Sequence, residues 1–360
     1  MSRSESWAGW RELRVVRKEY EDASRSVCSF YLVPTEGRAV TNWTPGQFLT
    51  FGVILTDETT GALRHLVRCY TLSDRPGLGY YRVSIKRAGL VSSHLHDTVA
   101  VGALLMAQAP SGQFVPDQGR SPMVLIGGGI GITPLLSMLN ANFASEAPRD
   151  VWLFHGVRNS GEQVGKAHLE QLAQSQPGFH LHVCYSKPLP QDRPGKDFQH
   201  EGHVDLALVQ ATLVQASLAT RNVHFYVCGP GAMMDALVPA LKLWGVPGEQ
   251  VHFESFGPSS LSGTVAEQTA PDSSSVGCRV TFDSVGKSFV WDGRARSLLE
   301  FAEDQGLEMA YGCRAGGCGA CQTEIRSGAV EYFDSPDYDP EPGTCLLCVT
   351  RPKGDLVLGG

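Results

Sequence analysis

Four cysteines near the end of the sequence restrict its fold more than any other feature. Cys313, Cys318 and Cys321 are separated by four and by two residues, and Cys348 follows after 26 intervening residues. This C-x₄-C-x₂-C…C spacing is typical of the four thiolate ligands of a plant-type [2Fe–2S] cluster. Glycines between the cysteines allow the tight turn that brings three thiolates together from one loop. The spacing therefore predicts that these four cysteines are iron ligands.

A zinc ribbon is the alternative for the same segment. The two C-x₂-C pairs, Cys318/Cys321 and Cys345/Cys348, match the ligand pattern of such a ribbon. The segment between the pairs is longer than in the usual ribbon, and a zinc site would leave Cys313 and the glycines unexplained. We therefore expect Cys345 to be a bystander.

The residues around the last cysteine resemble those of a known family. Leu346, Leu347 and Val349 surround Cys348, and this Leu-x-Cys-Val context is similar to that of the last cluster ligand in ferredoxins. The resemblance implies an α+β domain of the β-grasp type over residues 276–360. This segment holds 13 acidic and 8 basic residues, a net charge of -5 within the -7 of the whole chain. Such an acidic end is compatible with a basic docking partner, and a solvated surface is the favoured alternative.

Length and composition place the chain among multidomain globular proteins. Its 360 residues suggest two or three domains, and 42% apolar with 19% charged residues is ordinary for a globular chain. The negative net charge argues against a nucleic acid partner. The sequence has neither a membrane-spanning apolar run nor the apolar core of a secretion signal. We therefore expect a cytoplasmic protein without a membrane partner.

The sequence pattern changes three times along the chain. Residues 10–117 read as short strands between turns, which predicts an antiparallel β-barrel. Residues 118–258 alternate strands and helices, which predicts an α/β domain with a parallel sheet. Residues 259–275 are rich in Ser, Thr, Gly and Pro and are predicted to be a flexible linker. The ferredoxin-like domain, residues 276–360, follows.

A second motif lies in the first of these regions. The segment RCYTL, residues 68–72, is followed about twenty residues later by GLVSSHLH, residues 89–96. Either segment alone is compatible with ordinary barrel residues. Together, and with PGQF at 45–48 and YRVSIKR at 81–87, they resemble the flavin domain of the ferredoxin–NADP reductase superfamily. The similarity is greatest to the reductase part of flavohaemoglobins.

That resemblance implies a flavin site. It places Arg68 at the flavin phosphate, Tyr70 on the isoalloxazine face and Thr71 at N5. Ser92 and Ser93 would cap a helix whose N-terminal N–H groups receive the pyrophosphate. The full set implied to bind the flavin is Arg68, Tyr70, Thr71, Ser84, Lys86, Gly89, Ser92 and Ser93. FAD is the expected flavin, and FMN stays open.

A third motif, GGGIGITP at residues 127–134, lies where a strand gives way to a helix. It departs from G-x-G-x-x-G because Ile132 stands where the third glycine is expected. With YVCGPGAMMDAL about a hundred residues later, it resembles the nicotinamide-binding domain of the same superfamily. The residues that this resemblance assigns to the cofactor are Gly128, Gly129, Gly131, Thr133, Pro134, Cys228, Gly229 and Pro230.

Near the end of this region, Glu254 and Phe256 resemble the family's terminal acid and flavin-facing aromatic residue. The alternative for Phe256 is plain core packing. The implied catalytic set is Tyr70, Thr71, Cys228, Glu254 and Phe256.

The sequence gives little indication of whether the cofactor is NADH or NADPH, which carries an additional 2′-phosphate. Arg158, Ser186 and Lys187 follow strand ends where an adenosine ribose could lie, and a lysine there would favour NADPH. Surface charge is the alternative explanation for all three. We expect NADH, and NADPH stays open.

The three regions have a combined chemical meaning. A nicotinamide delivers two electrons as hydride, a [2Fe–2S] cluster accepts one at a time, and a flavin can convert between the two. The module order resembles the reductase components of oxygenase systems, which implies a protein acceptor, first of all a Rieske-type non-haem iron oxygenase. The alternatives are a reductase for a hybrid-cluster or haem protein and a non-catalytic [2Fe–2S] redox sensor.

Overall fold

The computed structural model describes residues 7, 9–35, 37–56, 61–218, 222–256, 277–307, 309–314, 316–333, 336 and 338–359. The predicted linker, residues 259–275, lies outside these ranges. The chain divides into two compact units. Unit 1 comprises Met1–Leu49 and Tyr70–Gly263, and unit 2 comprises Thr50–Cys69 and Thr264–Gly360.

The N-terminal region forms a six-stranded sheet. Its strands are β1 (Arg11–Tyr20), β2 (Val27–Pro34), β3 (Phe48–Thr56), β4 (Leu63–Thr71), β5 (Tyr81–Lys86) and β6 (Leu104–Ser111), and helix α1 (Leu90–Thr98) precedes β6. The order in the sheet is β4-β3-β6-β1-β2-β5. The pairs β1–β2, β1–β6 and β2–β5 are antiparallel, which confirms the predicted antiparallel pairing.

A second sheet follows in unit 1. Its elements in chain order are β7 (Met123–Gly128), α2 (Ile132–Phe143), β8 (Val151–Val157), α3 (Lys166–Ser175), β9 (Phe179–Tyr185), β10 (His200–Glu201), α4 (Leu206–Gln215), β11 (His224–Gly229), α5 (Gly231–Leu243) and β12 (Val251–Ser255). The pairs are parallel, as the alternating pattern predicts. Every residue of β7 is buried, as expected for a strand covered on both faces.

The strand order of this sheet reverses at one point. The order is β10-β9-β8-β7-β11-β12, so the chain first moves outward from β7 and then returns to its other side as β11. Parallel sheets bind ligands at the carboxyl ends of the strands that flank such a reversal. The expected site therefore lies after β7 and β11, where the two glycine motifs stand.

Unit 2 contains the C-terminal region. Its elements are β13 (Arg279–Phe282), β14 (Lys287–Val290), α6 (Leu298–Asp304), β15 (Gln322–Ser327), β16 (Val330–Tyr332), β17 (Thr344–Leu346), β18 (Thr350–Pro352) and β19 (Leu356–Leu358). A five-stranded sheet has the order β14-β13-β19-β15-β17, and β16 pairs with β18. Strands β13 and β19 are parallel, whereas β13–β14 and β15–β19 are antiparallel.

The core of this C-terminal region includes two of the predicted iron ligands. Trp291, Phe282 and Phe301 are fully buried, and Cys321 and Cys348 pack in the same cluster. The cysteine loop is therefore anchored in the core at its later end, while Cys318, also buried, lies earlier in the loop. Within the described ranges, no helix has the length and hydropathy needed to cross a membrane.

Candidate active site and cysteine loop

Four residues lie in one register across the parallel sheet. Glu254 of β12 pairs with Cys228 of β11, Cys228 with Gly127 of β7, and Gly127 with His155 of β8. Residues at the same register of parallel strands project to the same face. The acid, the thiol and the imidazole therefore share one face at the carboxyl end of the sheet, and the glycine leaves a gap between them.

Burial keeps the Glu254 carboxyl and the Cys228 thiol, the two groups nearest the reversal point, neutral. Burial raises the pKa of the Glu254 carboxyl to about 8, and burial with the nearby Glu254 raises the pKa of the Cys228 thiol well above its usual value. The Glu254 Oε2 atom is buried without a hydrogen-bond partner among the described residues. An unpaired buried oxygen is costly to keep, which makes this carboxyl a candidate for contact with a bound molecule.

His155 is a buried polar residue that the motifs did not single out. Its side chain is fully buried, and burial lowers its pKa to about 4 despite a stabilising contact with the Gly129 backbone. The imidazole is therefore neutral at pH 7. It lies in register beside Gly127, at the start of the glycine loop. Only the pairing of β8 with β7 reveals this placement, because the histidine has no motif of its own.

The glycines after β7 are needed for close backbone packing. A Cβ atom on Gly131 would overlap the Cys228 carbonyl oxygen, and one on Gly128 would lie 2.7 Å from Pro230 Cδ. The two predicted cofactor turns thus pack directly on each other. Gly129 has a left-handed φ of 53°, yet nothing lies within 4 Å of its Cβ position. The space beside Gly129 is open for a ligand.

The irregular third-glycine position has a physical explanation. The third glycine of the usual fingerprint lets the helix pack closely on the strand. Here Ile132 takes that position and is fully buried. The glycine that permits close packing is instead Gly127 on the strand, because a Cβ there would lie 3.4 Å from Ile132 Cα. Thr133 and Pro134 follow in the first turn of α2, and Thr133 Oγ1 donates to the Ile130 carbonyl at 3.0 Å.

Within unit 1, the predicted flavin segments lie beside the nucleotide-binding elements. The Leu72 N–H donates to the Gln47 carbonyl at 2.9 Å, which ties the end of β4 to the PGQF turn. The Gly46 N–H of that turn donates to Ser137 Oγ of α2 at 3.3 Å. Strand β5 also contacts the turn Gly129–Gly131. Tyr70 and the buried Thr71 thus directly precede Leu72, which is hydrogen-bonded to the turn that contacts the glycine-loop helix.

Ser84 and Lys86, two further predicted flavin residues, already have protein partners. Ser84 Oγ lies 2.6 Å from Ser29 Oγ and 2.8 Å from Ser73 Oγ in a buried hydroxyl chain. Lys86 Nζ is 3.7 Å from Glu162 Oε2. Their role at the flavin remains a prediction.

Helix α1 begins earlier than the serine motif suggested. Its N-cap is Gly89 and its first residue is Leu90, so Ser92 and Ser93 are inside the first turn and do not precede the helix. Ser92 Oγ accepts the Ala88 and Gly89 N–H groups, both at 2.9 Å, and donates to the Gly89 carbonyl. Ser92 therefore fixes the turn from within the helix and leaves the N-cap position to a residue without a side chain.

The remaining unit 1 predictions lie on the surface. Phe256 directly follows β12 and is 38% exposed, which argues against plain core packing and leaves its ring accessible. Arg158 follows β8, and its Nη1 atom donates to Glu162 at 3.2 Å. Ser186 and Lys187 follow β9, where their N–H groups donate to the Val157 and Arg158 carbonyls.

The cysteine loop of unit 2 directs backbone N–H groups at its sulfur atoms. The Cys313 N–H donates to Cys318 Sγ at 3.2 Å, the Gly316 N–H to Cys348 Sγ at 3.3 Å and the Gly317 N–H to Cys313 Sγ at 3.2 Å. Such bonds stabilise thiolates that ligate iron. Cys321 Sγ and Cys348 Sγ are 3.2 Å apart. In the described ranges the sulfur atoms do not form a group of three with metal-ligand geometry.

Glycines also shape this loop. Gly316 and Gly319 have left-handed φ values of 73° and 70°. A Cβ on Gly319 would lie 2.5 Å from the Tyr338 ring, and one on Gly316 would lie 3.1 Å from Pro336 Cα. The donor set and the fit of the backbone around it suit a [2Fe–2S] cluster. Cys345, fully buried in β17, contributes to the core.

The Cys318 thiol of the loop is protonated near pH 7. The hydrogen bond from Cys313 lowers the pKa of Cys318, but the bond to Cys69 and burial outweigh it and raise the pKa to about 12. Metal binding to such thiols releases protons. Cys69 itself is part of the RCYTL motif, and its contact with Cys318 was not foreseen from the sequence.

Comparison with known families agrees with this architecture. Residues 125–238 match the oxidoreductase NAD-binding domain, and residues 280–353 match the 2Fe-2S iron-sulfur cluster binding domain. The chain is 31% identical to the flavohem-like FAD/NAD-binding domain of nitric oxide dioxygenase from Vibrio cholerae O1 biovar El Tor, with a TM-score of 0.58 over 69% of this chain and 99% of that one. The chain belongs to the ferredoxin–NADP reductase superfamily. It combines the superfamily's reductase module with a [2Fe–2S] domain.

Two further relatives show how far the similarity extends. Phthalate dioxygenase reductase is 26% identical over 98% of both chains, with a TM-score of 0.57. A flavohemoprotein from Halalkalibacterium halodurans is 37% identical over 73% of this chain and 64% of its own length. The chain thus spans slightly less than two thirds of the curated flavohemoproteins that it matches. These similarities connect the chain to oxidoreductases with an NAD-binding domain and to 2Fe-2S cluster binding domains, and the Vibrio cholerae relative is an FAD/NAD-binding domain.

Proposed function

We propose that the protein takes electrons from NADH, passes them through FAD and a C-terminal [2Fe–2S] cluster, and delivers them to a Rieske-type non-haem iron oxygenase. The observation that carries this proposal is the placement of two glycine turns at the reversal point of the parallel sheet, beside the predicted flavin segments of the same unit. A flavin bound there supplies the conversion between hydride and single-electron transfer.

The proposal gives the nicotinamide site to the two turns that pack on each other. Gly128, Gly129 and Gly131 let the cofactor approach the backbone, and the first-turn N–H groups of α2 provide a positive end for its phosphates. Thr133 and Cys228 border the nicotinamide. The neutral Cys228 thiol adds no negative charge where a hydride must leave. Pro134, Gly229 and Pro230 complete this set by shaping the two turns.

The flavin site follows from the N-terminal sheet. Tyr70 provides an aromatic face for the isoalloxazine, and Thr71 a hydroxyl beside it. Arg68 and the N-terminus of α1, set by Gly89 and Ser92, provide positive groups for phosphate. We further propose that the six-stranded sheet closes into a barrel around this site and that residues 276–360 adopt the β-grasp fold of ferredoxins.

Two residues are proposed to act on the hydride-transfer step. The buried carboxyl of Glu254 is protonated at neutral pH, so it can donate a hydrogen bond toward the flavin or nicotinamide. The exposed ring of Phe256 can cover the flavin until the nicotinamide takes its place. Both lie at the end of β12, next to the strand that carries Cys228.

The choice of an oxygenase partner rests on the relatives. Phthalate dioxygenase reductase, by its name, serves a dioxygenase, and it matches this chain over nearly its whole length. A haem protein is the second candidate, because the curated relatives are flavohemoproteins and the region of similarity stops before their full length. The flavin is proposed to be FAD because the Vibrio cholerae relative is described as an FAD/NAD-binding domain.

The experiment begins with the purified protein. Its visible spectrum should contain flavin and [2Fe–2S] bands, NADH should bleach the flavin band, and the extracted flavin should be FAD. Reduction of a Rieske oxygenase component should then be compared with reduction of a haem protein. Absent flavin absorbance, or a flavin that NADH fails to bleach, would overturn the proposal and favour a redox sensor. Faster transfer to haem would select the second candidate.

A further inference from the structure

Strand β4 touches the cysteine loop within unit 2. Arg68 Nη1 donates to the Val67 carbonyl at 2.7 Å and to the Tyr311 carbonyl at 3.4 Å. Its guanidinium carbon lies 4.7 Å from the centroid of the Tyr311 ring, within the range of a cation–π interaction. Tyr311 stands two residues before the first predicted iron ligand, Cys313, so this contact joins the predicted flavin strand to the start of the cluster loop.

A second arginine holds the same ring. The Arg314 guanidinium carbon lies 4.1 Å from the Tyr311 centroid. Arg314 Nη1 donates to Glu303 Oε2 of α6 at 2.9 Å, and its Nη2 atom contacts the other carboxylate oxygen. This bidentate pair fixes Arg314 to the helix. Arg314 adopts this position with a left-handed φ of 59°, a conformation that is strained for a non-glycine residue. The surrounding contacts must offset that strain.

The sulfur atoms of the strand and the loop meet beside Gly312. A Cβ atom on Gly312 would lie 2.7 Å from Cys318 Sγ and 3.3 Å from Cys69 Sγ. The two thiols also share a hydrogen bond, and Cys69 Sγ lies 3.4 Å from Thr50 Oγ1. The missing side chain at position 312 therefore lets the loop settle on β4.

We propose that Arg68, Tyr311 and Arg314 form a latch that holds the cysteine loop on β4 and makes Cys318 the iron ligand nearest the flavin strand. The inference rests on the proposed function, because that function makes β4 the flavin strand. Its proposed flavin contacts, Tyr70 and Thr71, follow Cys69 directly in sequence. The rate of electron transfer falls steeply with distance. The latch therefore acts by positioning the cysteine loop close to β4. Tyr311 is the residue to test, since Arg68 is also assigned to the flavin.

The test uses the cluster-loaded protein and the variant Tyr311→Leu. We expect iodoacetamide to alkylate Cys69 at least about tenfold faster in the variant, as measured by mass spectrometry. After rapid mixing with NADH, the flavin band should bleach at the wild-type rate within about twofold, while the cluster band should bleach at least about tenfold more slowly. Tyr311→Phe keeps the ring and should restore both wild-type values.

Tyr338→Leu is the matched control, because Tyr338 packs on Gly319 of the same loop and has no part in the latch. It should leave both rates unchanged. If Tyr311→Leu leaves either Cys69 alkylation or cluster bleaching at its wild-type rate, the latch is wrong. Failure of NADH to bleach the flavin in the wild type would instead reject the proposed function.

A measurement on the wild type covers the case in which Tyr311→Leu fails to fold. Cys69 and Cys278 are both half-buried free thiols, and only Cys69 is held by the latch. Cys69 should therefore react more slowly than Cys278 in the native protein. Equal alkylation rates for the two thiols would overturn the inference without any variant.

Discussion

Cys228 and Glu254 stand opposite each other on adjacent parallel strands, and both side chains are neutral near pH 7 because they are buried. The carboxyl therefore holds a proton beside the site proposed for the nicotinamide. An ionised acid at this position would cost free energy through desolvation.

The first prediction follows from the raised pKa of Glu254. The folded state keeps the proton up to about pH 8, whereas the unfolded chain loses it near the ordinary carboxyl pKa. The stability that this proton gives is full below about pH 4.5 and is lost as the pH rises through 8. One pKa unit corresponds to about 1.4 kcal/mol, so Glu254→Gln should gain stability over the wild type by roughly 1 kcal/mol per pH unit between pH 5 and 8.

Chemical denaturation at pH 5, 6, 7 and 8 measures this gain. Glu249→Gln is the control, because Glu249 is exposed in the turn before β12. The control should follow the wild type at every pH. A constant difference between Glu254→Gln and the wild type across the series would show that Glu254 ionises normally.

The second prediction distinguishes two glycines of one loop. Gly131→Ala places a Cβ on the Cys228 carbonyl, so the loop and the Cys228–Pro230 turn must separate. We expect NADH affinity to fall at least about tenfold. Gly129→Ala introduces no steric overlap, because no atom lies within 4 Å of its Cβ. Its only cost is that of holding an alanine in the left-handed conformation, about 1–2 kcal/mol. Titration of each variant with NADH, alongside its thermal unfolding, would test the ranking, and an equal or larger loss for Gly129→Ala would contradict it.

Much of this architecture could be read from the sequence because its signals are local. Cysteine spacing, the strand-to-helix glycine motif and the alternation of strands and helices each depend on residues close together in the chain. The antiparallel and parallel sheets were predicted on that basis. Helix α4 has a local signal of the same kind at its start, where Asp205 caps it by accepting the Leu208 N–H at 2.8 Å.

The rest depends on tertiary contacts that no local pattern contains. His155 joins Cys228 and Glu254 only through the register of four strands. The need for Gly131 arises from the carbonyl of Cys228, almost a hundred residues away. Arg68 illustrates the same limit: its motif predicts a phosphate ligand, whereas its contact with Tyr311 requires two segments separated by over two hundred residues to pack together.

The third prediction concerns the start of α1. Ser92→Ala removes the acceptor for the Ala88 and Gly89 N–H groups, and with it the two hydrogen bonds that hold the turn before the helix. The turn should loosen and the flavin Kd should rise about tenfold. Thr98→Ala, at the other end of α1, is the control, because the exposed Thr98 makes none of these bonds. Fluorescence titration of the flavin-free proteins gives both constants, and equal Kd values for the two variants would show that this turn does not bind the flavin.

The last prediction tests whether the two redox modules act in series. Cys318→Ser removes a cluster ligand that lies in unit 2, while the glycine turns and Tyr70 lie in unit 1. NADH-dependent reduction of ferricyanide through the flavin should therefore stay within about twofold of wild type, whereas transfer to the protein acceptor should be abolished. Cys345→Ala alters a buried cysteine that the spacing excludes as a ligand, so it should keep the [2Fe–2S] absorbance and the transfer. Loss of both activities in Cys318→Ser would mean that the cluster is required before the flavin can turn over. Loss of the cluster in Cys345→Ala would show that Cys345 is an iron ligand.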